Sequence, residues 1–152
     1  MRFLIVSLLA TSVLIATGCS QTGVPAGVQP VTGFEPDRYL GKWYEIARLD
    51  HPFERGLTHV TAEYTRGPDG EIEVTNRGWD PEKEEWDVAT ADAEFLRNES
   101  TGSLAVTFFW PFAGGYHVIA LDKEDYHWSL VSGPTKEYLW ILSRDRTLDE
   151  EI

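Results

Sequence analysis

The sequence predicts an all-β protein, an eight-stranded antiparallel up-and-down barrel, and three observations lead there. From Trp43 onward, segments rich in β-branched and aromatic residues recur roughly every 10–15 residues. Gly, Pro, Asn and Asp clusters separate them. No long stretch with a 3.6-residue apolar period lies between them, which disfavours a parallel βαβ architecture. A chain of 152 residues holds one domain with one core.

The chain does not open as a strand. Arg2 precedes an apolar run from Phe3 to Ala16 that is too short to span a bilayer. The run ends in Ala16-Thr17-Gly18-Cys19, small residues before the chain's single cysteine. This pattern resembles a bacterial lipoprotein signal, with Ala16 where that pattern usually has Leu. The resemblance implies removal of residues 1–18, acylation of Cys19 and attachment to a membrane through it. Ser20 after the cysteine, in place of Asp, implies the outer membrane. An unpaired thiol in an oxidising compartment would otherwise be a liability. Residues 19–33 are expected to be a lipidated tether. Ser20–Gly33 carries many breakers and no apolar period, and a flexible chain of that length reaches roughly 20 Å on average.

The strands are expected at Trp43–Arg48, Thr58–Thr65, Ile72–Gly78, Trp86–Phe95, Ser103–Phe109, Tyr116–Leu121, His127–Val131 and Tyr138–Ser143. Pro68-Asp69-Gly70, Asn98–Gly102, Ala113-Gly114-Gly115 and Gly133-Pro134 supply turns between them. A β-sandwich has similar spacing and stays open at this level. Thr147 and Glu150 have capping-box spacing and predict the start of a C-terminal helix. The domain is thus expected over residues 34–152.

Net charge is −12, and removing residues 1–18 takes away one Arg and no acid, leaving −13. Such a surface repels phosphate backbones, so no nucleic-acid partner is expected. His51, His59, His117 and His127 show no metal-ligand spacing, and the cysteine is committed to the anchor. Neither metal nor cofactor is expected, and the chain is read as not an enzyme. A lipid-modifying enzyme and a lipoprotein acting by protein contact are the alternative functions.

Gly41-Lys42-Trp43 opens the first strand, Leu121-Asp122 followed by Tyr126 forms a turn after the sixth, and Arg144 ends the eighth. These segments resemble the three signatures of the lipocalins, with Leu121 where the family has Thr. Arg38–Arg48, His51–Leu57 and Tyr138–Arg144 are similar to the bacterial outer-membrane lipoproteins of that family. The resemblance implies a barrel that binds a fatty acid or lysophospholipid for storage, transport or repair in the envelope. It also implies a lipid-anchored protein facing the periplasm, and a helix and short strand continuing past Ile152. A monomer or weak dimer is expected.

Strand alternation adds a physical expectation. If the first strand starts at the closed base, Trp43, Asp122 and Arg144 converge there, and a guanidinium laid on an indole contributes up to ~2 kcal/mol if desolvated. Trp140 and Leu142 share a face with Arg144 and are expected to line the lumen. On the sixth strand both faces are mostly apolar. Tyr116 and Val118 are read as the inward pair, although the pattern alone does not choose. Trp43 pointing inward also directs Glu45 inward unless a bulge intervenes. At the mouth, Phe53, Trp79, Trp110 and Phe112, with Trp86 nearby, are expected to form an aromatic rim that meets the ligand.

Overall fold

The computed structural model describes residues 21–152. The expected leader and Cys19, the expected acylation site, lie outside the described residues. After a short helix α1 (Pro36–Tyr39) come eight strands: β1 (Gly41–Arg48), β2 (Thr58–Arg66), β3 (Ile72–Asp80), β4 (Glu85–Phe95), β5 (Ser103–Phe109), β6 (Phe112–Leu121), β7 (Trp128–Ser132) and β8 (Leu139–Ser143). Each pairs antiparallel with the next and β8 pairs with β1, closing the barrel. Closure removes the unpaired edges that a flat sheet would expose.

Alternation along the strands decides what faces the core. Val60 and Tyr64 on β2, Ile72 and Val74 on β3, and Ala91 and Ala93 on β4 are buried, while their odd neighbours are largely exposed. Register joins these sets across the wall: Tyr64 opposes Val74, which opposes Ala91, and Ile72 opposes Ala93. β1 bulges between Glu45 and Ala47, so Trp43 and Glu45 face inward before the alternation resets and Arg48 returns to the inner side.

Pairing is uneven at the mouth. β4 meets β5 only from Asp92–Thr107 down to Phe95–Leu104, whereas β3 and β4 pair to their ends. The open end is therefore split into two lips, β3–β4 and β5–β6.

Three expectations are corrected. Ala113-Gly114-Gly115, expected as a turn, lies inside β6, and the hairpin turns instead at Trp110-Pro111. Its small residues serve close approach: a Cβ on Gly115 would stand 2.6 Å from His117 Nε2 and 3.2 Å from the Thr22 carbonyl. The neighbour that needs this room is the expected tether, which is not free. Gln21 bridges Gly114, the Gly115 N–H donates to the Gln21 carbonyl at 2.8 Å, and the Val31 N–H reaches the Val118 carbonyl at 2.8 Å. His117 spans from Ser103 Oγ (2.9 Å) to the Gly23 carbonyl (3.1 Å), fastening the segment midway. Breaker-rich composition reads as flexible, yet backbone pairing needs no side-chain pattern.

Thr147 does not cap a helix. The final residues make one turn, closed by the Ile152 N–H on the Asp149 carbonyl, with Asp149 Oδ1 accepting from the Glu151 N–H. A single turn fixes several dihedrals for one hydrogen bond, so it does not propagate unaided. α1, by contrast, is absent from the sequence reading. Four residues are too few for periodicity, although Pro36 at its first turn is a usual starting residue.

Candidate functional site

The closed end is sealed by stacked rings. Trp43 is wholly buried, the Arg144 guanidinium carbon sits 3.8 Å from its ring centroid, and the indole N–H donates to the Tyr39 carbonyl at 2.8 Å. Arg144 also donates to the carbonyls of Lys42 (2.9 Å), Arg38 (2.7 Å) and Tyr126 (3.3 Å). Gly41 adopts φ +92, a left-handed conformation strained for other residues, as the chain passes beneath this guanidinium. The predicted Trp43–Arg144 pair is thus present.

Asp122 lies at the same end but does another job. Its carboxylate accepts the N–H groups of Glu124 (3.2 Å), Asp125 (3.4 Å) and His127 (3.2 Å) and ties the β6–β7 turn. Burial works to raise its pKa, but the three donors outweigh that and hold it below the usual carboxylate range.

Above the floor lies a chain of hydroxyls. Tyr39 and Tyr64 each meet the Tyr116 hydroxyl at 2.8 Å, and Tyr39 also meets Ser129 Oγ at 3.0 Å. Burial pushes Tyr39 up to about 12 and the other two phenols well above their ordinary value, so all three stay protonated. Tyr116 therefore faces inward, and Val118, fully buried in the same core, follows it by alternation. A hollow of about 20 Å³, room for one water, remains among Phe34, Tyr39, Tyr64, Leu104 and Tyr116.

Over this floor the inner wall carries very little. The register turns Ala62, Gly78, Ala89, Ala91 and Ala93 inward on β2–β4, and above Tyr64, Ile72 and Val74 only Val60 and Asn76 among them carry more than a methyl. Trp140 and Leu142 lie on the opposite side of the barrel; Leu142 is buried and Trp140 half-buried against the core. The run Ala89, Ala91, Ala93 was legible as alternating alanines, but an absent side chain is easily passed over.

A polar cluster that the sequence reading missed crowns the lumen. Glu45 and Arg48 form a buried ion pair, and Arg48 also donates to the carbonyls of Glu54 (2.6 Å) and Leu57 (3.0 Å). The Trp140 indole donates to Glu54 Oε2 at 2.9 Å. His51 Nε2 stands 3.0 Å from that oxygen without hydrogen-bond geometry, and its Nδ1 has no partner. Burial pushes Glu45 up to about 7; the Glu54 carboxylate adds to the rise and Arg48 opposes it. Burial likewise lowers His51 below its usual value, against the pull of Glu54.

A pH dependence follows. The Glu45 carboxyl gains a proton more readily when folded than when unfolded, so its contribution to stability is present below about pH 4.5 and is lost as pH rises through about 7. Glu45→Gln removes this loss. The variant is expected to melt about 5 °C above the parent at pH 8 and level with it at pH 4, measured by circular dichroism.

The aromatic rim is not a ring around the lumen. Buried Ile72, Val74 and Gly78 fix the inner face of β3, which places Trp79 on the outer wall. There it packs edge-on against Trp86 at 5.5 Å, and Arg77 stacks on Trp86 at 3.9 Å. Phe53 is 78% exposed at the tip of the β1–β2 loop, and that loop turns His51 and Glu54 inward instead. Trp110 and Phe112, 88% and 58% exposed, stand on the β5–β6 lip. Side-chain direction within loops has no period, so the sequence could locate these rings at the mouth but not aim them.

Comparison with known proteins agrees with the geometry. The family model for the lipocalin-like domain matches residues 34–152. Outer membrane lipoprotein Blc of Vibrio cholerae is 52% identical over 145 residues, 95% of this chain and 83% of the relative. The Escherichia coli K12 protein of the same name is 47% identical over 152 residues, all of this chain and 85% of the relative. Temperature-induced lipocalin-1 of Arabidopsis thaliana is 33% identical over 132 residues, 82% of this chain and 70% of that protein. Among solved structures, insecticyanin from the tobacco hornworm Manduca sexta superposes with a TM-score of 0.67 at 21% identity, covering 85% of this chain and 73% of that one, a likeness of fold. The chain belongs to the lipocalin family.

Proposed function

We propose that this protein is an outer-membrane lipoprotein, acylated at Cys19 and facing the periplasm, that holds a fatty acid or lysophospholipid in its barrel. It acts as a carrier or store and not as a catalyst. The reading is carried by one arrangement: a floor sealed by Trp43 and Arg144 beneath an inner wall of short side chains at Ala62, Ala89, Ala91 and Ala93. The strong likeness to bacterial relatives named as outer membrane lipoproteins supports the location and the anchor.

The chemistry suits an amphiphile. An acyl chain in the lumen gains roughly 0.8 kcal/mol per methylene removed from water, so ten methylenes give about 8 kcal/mol before the association costs. Micromolar affinity follows from the remainder. Trp140 and Leu142 face the chain from β8, and the Glu45–Arg48–His51–Glu54 cluster receives a polar head. Arg48 and the unpaired His51 nitrogen offer donors, while Glu54 accepts.

Mass spectrometry of a lipid extract from freshly purified protein tests this. Fatty acid or lysophospholipid near one per barrel is the expected result. An empty extract, together with unchanged tryptophan fluorescence on titration with lysophosphatidylethanolamine, would overturn it.

A further inference from the structure

We infer that the β5–β6 lip inserts into the bilayer that carries the anchor, so that the mouth of the barrel opens onto that membrane. The inference rests on the acylation of Cys19 proposed above.

The first observation is where the chain enters the domain. Gln21 pairs with Gly114, two residues from Phe112, at the mouth end of β6. Two trans peptide units span at most about 7.6 Å, so Cys19 Cα lies within that distance of Gln21 Cα. The acyl chains therefore leave the protein beside the β5–β6 lip and not beneath the sealed floor.

The second, independent observation is what that lip exposes. Phe109, Trp110 and Phe112 project from its tip, with Phe109 80% exposed. No Asp, Glu, Lys or Arg occurs from Ser103 to Leu121. A contiguous uncharged aromatic tip is a membrane-contacting surface by its chemistry, because indole and phenyl rings favour the bilayer interface. The other lip is the opposite: Asp80, Glu82, Glu84, Glu85 and Asp87 surround the β3–β4 turn with a single Lys83. Anionic headgroups repel it. The two lips thus impose a tilt, with the aromatic lip in the bilayer and the acidic one in water. The gap between them, where β4 and β5 part above Asp92–Thr107, then faces the headgroups, and an acyl chain can pass between leaflet and lumen without crossing water.

Spin labels test this orientation. The mature acylated protein has no free thiol, so single substitutions Trp110→Cys, Phe112→Cys, Glu82→Cys and Asp69→Cys accept label selectively. The labelled proteins are reconstituted in phosphatidylethanolamine–phosphatidylglycerol vesicles. Labels at 110 and 112 are expected to be shielded from an aqueous nickel chelate and open to oxygen, with labels at 82 and 69 fully aqueous. Equal nickel accessibility at 110 and 69 overturns the inference, as does spin–spin broadening at 110 that reports a second copy covering the lip. Intact mass decides acylation separately. Whatever that mass shows, unacylated Cys19→Ser protein should lose about tenfold in vesicle partition when Phe109, Trp110 and Phe112 are all replaced by Ser. An unchanged partition also overturns the inference.

Discussion

Trp43→Ala is expected to lower stability by about 3–5 kcal/mol and the melting temperature by on the order of 10–20 °C. Several losses coincide at this residue. The indole is wholly buried, and a Trp-to-Ala cavity at the floor has no neighbour free to collapse into it: Tyr39 is held by Tyr116 and Ser129, and Arg144 by three carbonyls. The cation–π contact disappears as well, and the Tyr39 carbonyl loses its donor. Denaturant titration with a two-state fit measures the change. A loss below about 1 kcal/mol would show that the floor repacks and that the ring is not its keystone. Trp43→Phe separates the contributions. It keeps a ring under the guanidinium but not the indole N–H, and about half of the loss should return.

The second large effect concerns binding. Ala91→Trp places an indole across the inner wall between β3 and β5, where about four methylenes of a bound chain would lie, and at ~0.8 kcal/mol each this weakens lysophospholipid binding about 200-fold. Overpacking costs about 1–3 kcal/mol of stability, which the melting curve reports separately. Thr90→Trp is the matched control. Its side chain points to the outer face one residue away, so affinity should stay within a factor of two of the parent's. Equal weakening in both variants would place the ligand outside the lumen.

What the sequence disclosed and what it withheld divide along physical lines. Strand alternation and antiparallel order are local rules with long-range consequences, and they were enough to bring Trp43 to Arg144 across the chain. The same rule directed Glu45 inward unless a bulge intervened, and did not indicate what would meet it. His51 and Glu54 arrive on a loop, where no period indicates direction. Trp79 shows the rule left unapplied: buried Ile72 and Val74 on the same strand already exclude it from the lumen. Asp122 was placed at the right end with no partner assigned, and the short Asp122–His127 turn supplies backbone N–H groups of its own for it to accept. Gln21–Gly33 escaped notice for a different reason. It is held chiefly through its main-chain carbonyls and N–H groups, which leave no trace in a hydrophobic pattern.

That stitched-in segment limits how far the molecule can travel. A loose leash of its length would let the barrel wander and hand cargo to distant acceptors. Here most of the slack is folded into the wall, so with acyl groups on Cys19 the protein is pinned like a peg, free to spin about the bilayer normal but not to reach away from it. On the function proposed above, exchange would then be confined to molecules already present in the leaflet that holds it.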